Sequence, residues 1–265
     1  MRYLFGLLLL CQTALAPAQP DPFPQVAASY RVEINGAPVW EKQSSRRLPP
    51  ASLTKLMTAL LVVEHDRPQA IATISRAAAH ESGTRLGLKA GEKLHVEDLL
   101  AAALINSAND ACHALADFVA GSEQHFVQLM NRRAGELGMR NTHFINACGH
   151  DAEGHYSSAH DLALLAHELV KHPAVMEQAG KTGARISTLD GARSYQFSSK
   201  NALIGRYPGA LGLKTGYTPK AGKCLIAYAK RGATQVLLVM LHGHDRWWDA
   251  ADILDLAFDH ARHSS

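Results

Sequence analysis

Ser52 and Lys55 stand three residues apart in Pro50-Ala51-Ser52-Leu53-Thr54-Lys55. On a helix that spacing puts both side chains on one face, one turn apart. A serine there becomes a nucleophile if the lysine takes its proton. That requires a neutral amine, and so a site that lowers the lysine pKa. A second group, Ser107-Ala108-Asn109, supplies a hydroxyl and an amide. A third, Lys214-Thr215-Gly216, supplies a cation, a second hydroxyl and a residue without a side chain. Alone, S-x-x-K reads as a capping serine and a surface lysine, because so short a pattern arises often by chance. Three such groups in one order outweigh that reading.

The elements that must position these groups follow from the pattern around them. Pro49-Pro50 breaks what precedes, and apolar residues then recur at Leu53, Leu56, Met57, Leu60, Leu61 and Val63, as in a helix that begins near Ser52. Unpaired N–H groups of a first turn favour a developing negative charge. Ser107 lies within a largely helical stretch from Leu99 to Gly121. Lys214 precedes two strand-like runs, 223–229 and 233–241, so its backbone is placed to pair with an extended ligand. A second K-T-G, Lys181-Thr182-Gly183, follows a helix and is read as a loop; a second S-x-N, Ser199-Lys200-Asn201, lies in a polar connection and is read as a turn.

Elsewhere, Ser29–Ile34 alternates in polarity, Asn35-Gly36 signals a hairpin, and Val39-Trp40 returns. Ile71–Ile74 and Glu92–Val96 read as short strands flanking a glycine-rich loop, 82–91. Helices are expected over 97–106, 109–120, 123–137 and 158–172, the last stopped by Pro173, and over 247–262. A strand or hairpin is expected over 185–197, and strands over 210–216, 223–229 and 233–241. Strands at both ends with helices between imply an α+β layout, the end strands forming one antiparallel sheet beside a mostly helical lobe.

Composition excludes several classes. The formal net charge of +3 is small and its lysines and arginines are scattered, so no nucleic-acid surface is indicated. Arg2, the apolar run Leu4–Leu10 and Ala16-Pro17-Ala18 read as a signal peptide over residues 1–18, which places the mature chain, 19–265, outside the cytoplasm as one catalytic domain. No later segment is apolar enough to span a bilayer. The final helix carries Asp249, Asp252, Asp255 and Asp259 on one side and Trp247, Ala251, Leu254 and Phe258 on the other. That suits packing on a sheet rather than an anionic membrane surface, so a soluble mature protein without a stable membrane anchor is expected. Cys112, Cys148 and Cys224 are odd in number at no tight spacing, and buried free thiols are expected. Fifteen histidines invite a metal reading. His167 and His172 are five apart, not the four a zinc helix needs, and His242-Gly243-His244-Asp245 reads as a loop at a strand end.

The ordered motifs resemble the D-alanyl-D-alanine carboxypeptidase family, the low-molecular-mass penicillin-binding proteins. The matching segments are Pro50–Thr58, Ser107–Cys112, Gly138–Phe144 and Lys214–Thr218, and the likeness runs from about Val26 to about Arg262. The resemblance implies the penicilloyl-serine transferase fold, peptidoglycan stem peptides ending in D-Ala-D-Ala as substrate, acylation by β-lactams, and no metal or organic cofactor. It makes Ser52 the acylated nucleophile and Lys55 its base. Ser107 and Asn109 then relay protons and hold the substrate amide, while Lys214 and Thr215 bind the terminal carboxylate. Gly216 allows close approach of substrate backbone, and Arg246 helps hold the carboxylate. The N–H groups of Ser52 and Tyr217 take the oxyanion positions, each contributing about 3–4 kcal/mol. The Lys214 cation is expected to help lower the pKa of Lys55.

Three features depart from the family pattern. Many members have histidine where this chain has Tyr217, His150 stands where leucine is usual, and the C-terminal β-domain and anchor of many relatives are not expected here. Rival readings are a DD-endopeptidase using the same serine site, a class A β-lactamase and an inactive peptidoglycan-binding module. The β-lactamase needs a loop glutamate with an asparagine shortly after it, and Glu153 lacks that asparagine. The intact Ser52, Lys55, Ser107, Asn109 and Lys214 set argues against an inactive module.

Overall fold

The structure is a computed structural model and describes residues 21–65 and 67–263. The proposed signal peptide lies outside them.

β1 (Ala27–Ile34) and β2 (Ala37–Lys42) form the expected hairpin, turning at Asn35-Gly36 where both residues have positive φ. β7 (Ala210–Thr218), β8 (Gly222–Arg231) and β9 (Thr234–Gly243) complete an antiparallel sheet of order β2-β1-β9-β8-β7. Residues of β9 alternate between two cores. Val236, Leu238 and Met240 face α8 (Arg246–His263), whereas Leu237, Val239 and Leu241 face the main helical core. Cover on both faces makes the strand a continuous apolar run. On α8 the buried stripe is Ala250, Ile253, Leu254, Ala257 and Phe258, so Ala251 is shifted off the centre expected for it, and Trp248 projects into solvent.

The helical lobe is built from α1 (Lys55–Glu64), α2 (Arg76–Ala79), α3 (Val96–Ala101), α4 (Asn109–Ala120), α5 (Glu123–Glu136), α6 (Ala159–Leu169) and α7 (Pro173–Ala179). β3 (Ile71–Thr73) pairs with β4 (Lys93–His95), and β5 (Gly183–Ser187) with β6 (Ser194–Ser198). Three expectations need correction. α6 ends at Leu169, and Pro173 opens α7 rather than merely stopping its predecessor, since a first-turn proline loses no helical hydrogen bond. The helix expected over 97–106 closes in a π turn, Ala102–Asn106, that delivers Ser107 in a left-handed conformation at φ 65°. Cys112 and Cys148 are not free thiols but a disulfide, with Cα atoms 5.9 Å apart; Cys224 is free and buried. Their separation of 36 residues hid the pairing, because only the fold brings α4 to the 144–150 loop.

Candidate active site

Ser52 sits in a 3-10 turn, Ala51–Thr54, immediately ahead of α1, so the serine and Lys55 are one turn apart as the spacing requires. The Lys55 ammonium donates to Ser52 Oγ (3.1 Å), to Asn109 Oδ1 (2.6 Å) and to the Cys148 carbonyl (2.6 Å). These partners come from three elements: the turn, the first residue of α4 and the 144–150 loop. Lys55 is buried, and burial brings its pKa from the usual 10.5 down to about 7, against the pull of the Glu81 and Asp110 carboxylates. Burial, not the Lys214 cation, is therefore what lowers Lys55. The expected influence runs the other way: burial first, then the Lys55 and Arg246 cations, puts Lys214 well below its ordinary value.

Asn109 is itself held, its Nδ2 donating to the Ser82 carbonyl at 2.6 Å. The neighbouring Asp110 carboxylate accepts the N–H groups of Leu86, Gly87 and Leu88 at 3.1, 2.8 and 3.0 Å, which fixes the glycine-rich loop against α4. Ser107 is buried at the turn that starts α4. Behind the nucleophile, Ile145 N–H donates to His155 Nδ1 (3.1 Å), so the ring proton lies on Nε2 and points to Thr54 Oγ1 at 2.9 Å. Burial takes His155 down to about 4, so the ring is neutral.

β7 runs beside the Ser52 turn. A Cβ on Gly216 would stand 3.0–3.1 Å from Ala51 Cβ, the Pro50 carbonyl and the Ser52 amide nitrogen. Gly216 thus first allows the strand to approach the nucleophile's own backbone, a closer constraint than the expected one toward ligand. Gly149, at φ +89°, is tighter still: a Cβ would meet the Ala51 carbonyl oxygen at 1.9 Å. Lys214 is buried and donates to the Thr215 carbonyl at 2.9 Å. Arg246 donates through Nη1 to the carbonyls of Gly216 (2.7 Å) and Cys224 (3.3 Å), so it braces β7 and β8, and its guanidinium lies over Trp247. Tyr217 projects outward, 63 % exposed.

A cavity of about 250 Å³ opens at this point, lined in part by Ser52, Thr84, Asn109, His150 and Tyr217. The second K-T-G is elsewhere, but not for the expected reason. Gly183 opens β5, so both triads enter strands. Lys181 differs in being half-buried just after α7, where it pairs with Glu177 at 2.8 Å and donates to Gln178 Oε1 at 3.1 Å. Ser199-Lys200-Asn201 forms a turn, Ser199 Oγ accepting the Asn201 N–H at 3.1 Å. Glu153 is exposed, on a turn.

Motif reading missed several groups. The Cys148 and Ser82 carbonyls carry no sequence signal, because backbone acceptors have none. The sequence marks His150 only as a departure from the family pattern; its Nε2 donates to Glu81 at 2.8 Å, and His113 Nδ1 donates to the other oxygen of the same carboxylate at 2.7 Å. Burial pushes the Glu81 carboxyl up, but these two hydrogen bonds prevail and bring it to about 2.

Comparison with known proteins shows the family. Residues 21–245 match the model of the serine peptidase family described as D-alanyl-D-alanine carboxypeptidase. The chain is 38% identical over 231 residues to D-alanyl-D-alanine carboxypeptidase DacF of Bacillus subtilis, covering 84% of this chain and 59% of the relative. It therefore spans about three-fifths of that relative's length. The crystal structure of a D-alanyl-D-alanine carboxypeptidase from Mycobacterium tuberculosis superposes with a TM-score of 0.85 at 28% identity, covering 92% of this chain and 95% of that one. Penicillin-binding protein D2 from Listeria monocytogenes, in its ampicillin-bound form, gives 0.77 at 33% identity, covering 88% and 98%. The antiparallel sheet with flanking helices is the penicilloyl-serine transferase fold these structures share, and the chain belongs to the D-alanyl-D-alanine carboxypeptidase family.

Proposed function

We propose that this chain is a serine DD-peptidase that removes the terminal D-Ala from peptidoglycan stem peptides and is acylated by β-lactams at the same serine. The observation that carries the reading is the buried Lys55 amine, with a pKa near 7, 3.1 Å from Ser52 Oγ. Such an amine is substantially neutral at neutral pH and accepts the serine proton as Oγ attacks the carbonyl of the penultimate D-Ala. The Ser52 and Tyr217 amides face the oxyanion. Collapse breaks the C–N bond, the proton passes to the departing D-Ala nitrogen by way of Ser107 and Lys55, and water then hydrolyses the ester. Asn109 orients Lys55 and the substrate amide. Lys214 and Thr215 take the terminal carboxylate, whose charge restores the proton to Lys214 that burial disfavours. Arg246 acts mainly through β7, by holding the Gly216 carbonyl, and adds positive charge.

Substrate of this kind lies outside the cytoplasmic membrane, in keeping with the export signal read at residues 1–18, and we place the mature chain in the periplasm or cell-wall space as one catalytic domain. Among the described residues no helix is long and apolar enough to cross a membrane. The direct test is digestion of defined monomeric and cross-linked muropeptides with product masses measured. Release of free D-Ala from monomeric pentapeptide is expected. Cleavage confined to cross-links would make the enzyme an endopeptidase instead.

A further inference from the structure

We propose that Glu81, His113 and Glu123 form a binding site for one divalent ion of the zinc class, which ties α5 to two segments that frame the Ser52 cavity. The groups come from separate elements: Glu81 from the loop after α2, His113 from the middle of α4 and Glu123 from the first residue of α5. One atom of each converges, and the three lie within 4.8 Å of one another. His113 Nδ1 is 2.7 Å from Glu81 Oε1 and 4.0 Å from Glu123 Oε2. An ion about 2.0–2.2 Å from each donor holds any two of them no more than about 4.4 Å apart, so binding parts Glu81 from His113, keeps Glu123 within that limit and moves the His113 proton from Nδ1 to Nε2.

The outward atoms carry the argument further. Glu81 Oε2 is held by His150 Nε2 at 2.8 Å. Glu123 Oε1 accepts the Ala147 N–H at 2.9 Å. His113 Nε2 is directed to the Asp117 carboxylate at 3.7 Å. Both candidate glutamates thus turn one oxygen inward while a hydrogen-bond donor orients the other, as outer partners do around bound metal, and Asp117 lies near the far nitrogen of His113 without a hydrogen bond to it.

Charge points the same way. Among the described residues, the ion pairs of Glu81, Asp117 and Glu123 are with the two imidazoles alone, and the only lysine shown to act on this group is Lys55, through Glu81. The other acid and histidine group, Glu64, Glu168 and His172, is different: Arg133 and Lys171 already neutralise its carboxylates. Two carboxylates and an imidazole suit a borderline ion such as Zn²⁺ better than Ca²⁺, which prefers oxygen donors throughout.

The site lies outside the reaction path but touches its frame. Glu81 precedes Ser82, whose carbonyl holds Asn109. His113 follows Cys112, and Ala147 precedes Cys148, whose carbonyl holds Lys55. An ion bound here is a clamp on those segments, not a reactant.

The test is calorimetric titration of chelator-stripped protein with ZnCl₂, alongside thermal unfolding. Wild type is expected to bind one equivalent at micromolar affinity and to unfold at higher temperature with Zn²⁺. Glu123→Gln keeps an acceptor for Ala147 and should fold and be acylated normally, yet bind at least tenfold more weakly. Asp117→Asn should weaken binding less, and Glu168→Gln not at all. One tight equivalent that survives Glu123→Gln, or is lost in Glu168→Gln, would overturn the assignment. So would weak binding at several sites only, spread over the fifteen histidines.

Discussion

Lys55 Nζ lies 2.6 Å from the carbonyl oxygen of Cys148, the residue whose sulfur is bonded to Cys112. Cys112 follows Asn109 on the first turn of α4, and Asn109 Oδ1 takes the same ammonium at 2.6 Å. One covalent bond therefore joins two of the three segments that supply acceptors to Lys55, the third acceptor being Ser52 Oγ itself. The lysine is aimed at Ser52 by a triangle whose far side is a disulfide.

Removing that bond in the Cys112→Ala/Cys148→Ala pair should lower unfolding stability by about 4 kcal/mol, from the loop-closure relation for a separation of 36 residues. Acylation by penicillin should slow as well, because both acceptors loosen. Urea unfolding of the oxidised wild type and the variant decides it. Equal midpoints and slopes would show that the bond constrains nothing.

The pH dependence of acylation should follow Lys55. Protonated, it has no lone pair for the Ser52 proton, so the second-order rate falls about tenfold per unit below its pKa and levels off above. Stopped-flow or mass-resolved acylation should give a midpoint near the lowered value of about 7. A midpoint near the ordinary lysine value would mean that burial does not set the base.

The three motifs were legible in the sequence because their chemistry lies in side chains at helical or strand spacing. The hairpin at Asn35-Gly36, the sheet strands and the acidic face of α8 were legible for the same local reason. What was hidden depends on contacts between distant segments. The Cys112–Cys148 pair, the Ser82 carbonyl on Asn109 and the joining of Glu81, His113 and His150 span from 27 to 69 residues of chain. Strand context alone does not separate the two K-T-G triads, since Gly183 enters a strand too. What separates the lysines is burial beside the Ser52 turn.

The two tight glycines should fail differently. Gly149→Ala needs positive φ for a side chain and meets the Ala51 carbonyl oxygen at 1.9 Å, so a loss of about 2–4 kcal/mol is expected. Gly216→Ala meets its neighbours at 3.0–3.1 Å and should cost less than about 1.5 kcal/mol. It should still slow acylation at least tenfold, because the displaced atom is the Ser52 amide. Thermal unfolding paired with acylation rates separates the two, and similar stability losses would contradict this packing.

Lys214→Ala should abolish most D-Ala release, whereas Lys181→Ala, which removes a pair with Glu177 and a hydrogen bond to Gln178, should keep it. Initial rates on a D-Ala-D-Ala pentapeptide give the comparison. Loss in the Lys181 variant alone would assign the wrong triad to the site.

The most direct measurement is the intact mass of the protein after incubation with penicillin, followed by peptide mapping. Wild type should gain one penicilloyl group on Ser52, and Ser52→Ala should gain none. An adduct of the same mass on the alanine variant would contradict the assignment of Ser52 as the nucleophile.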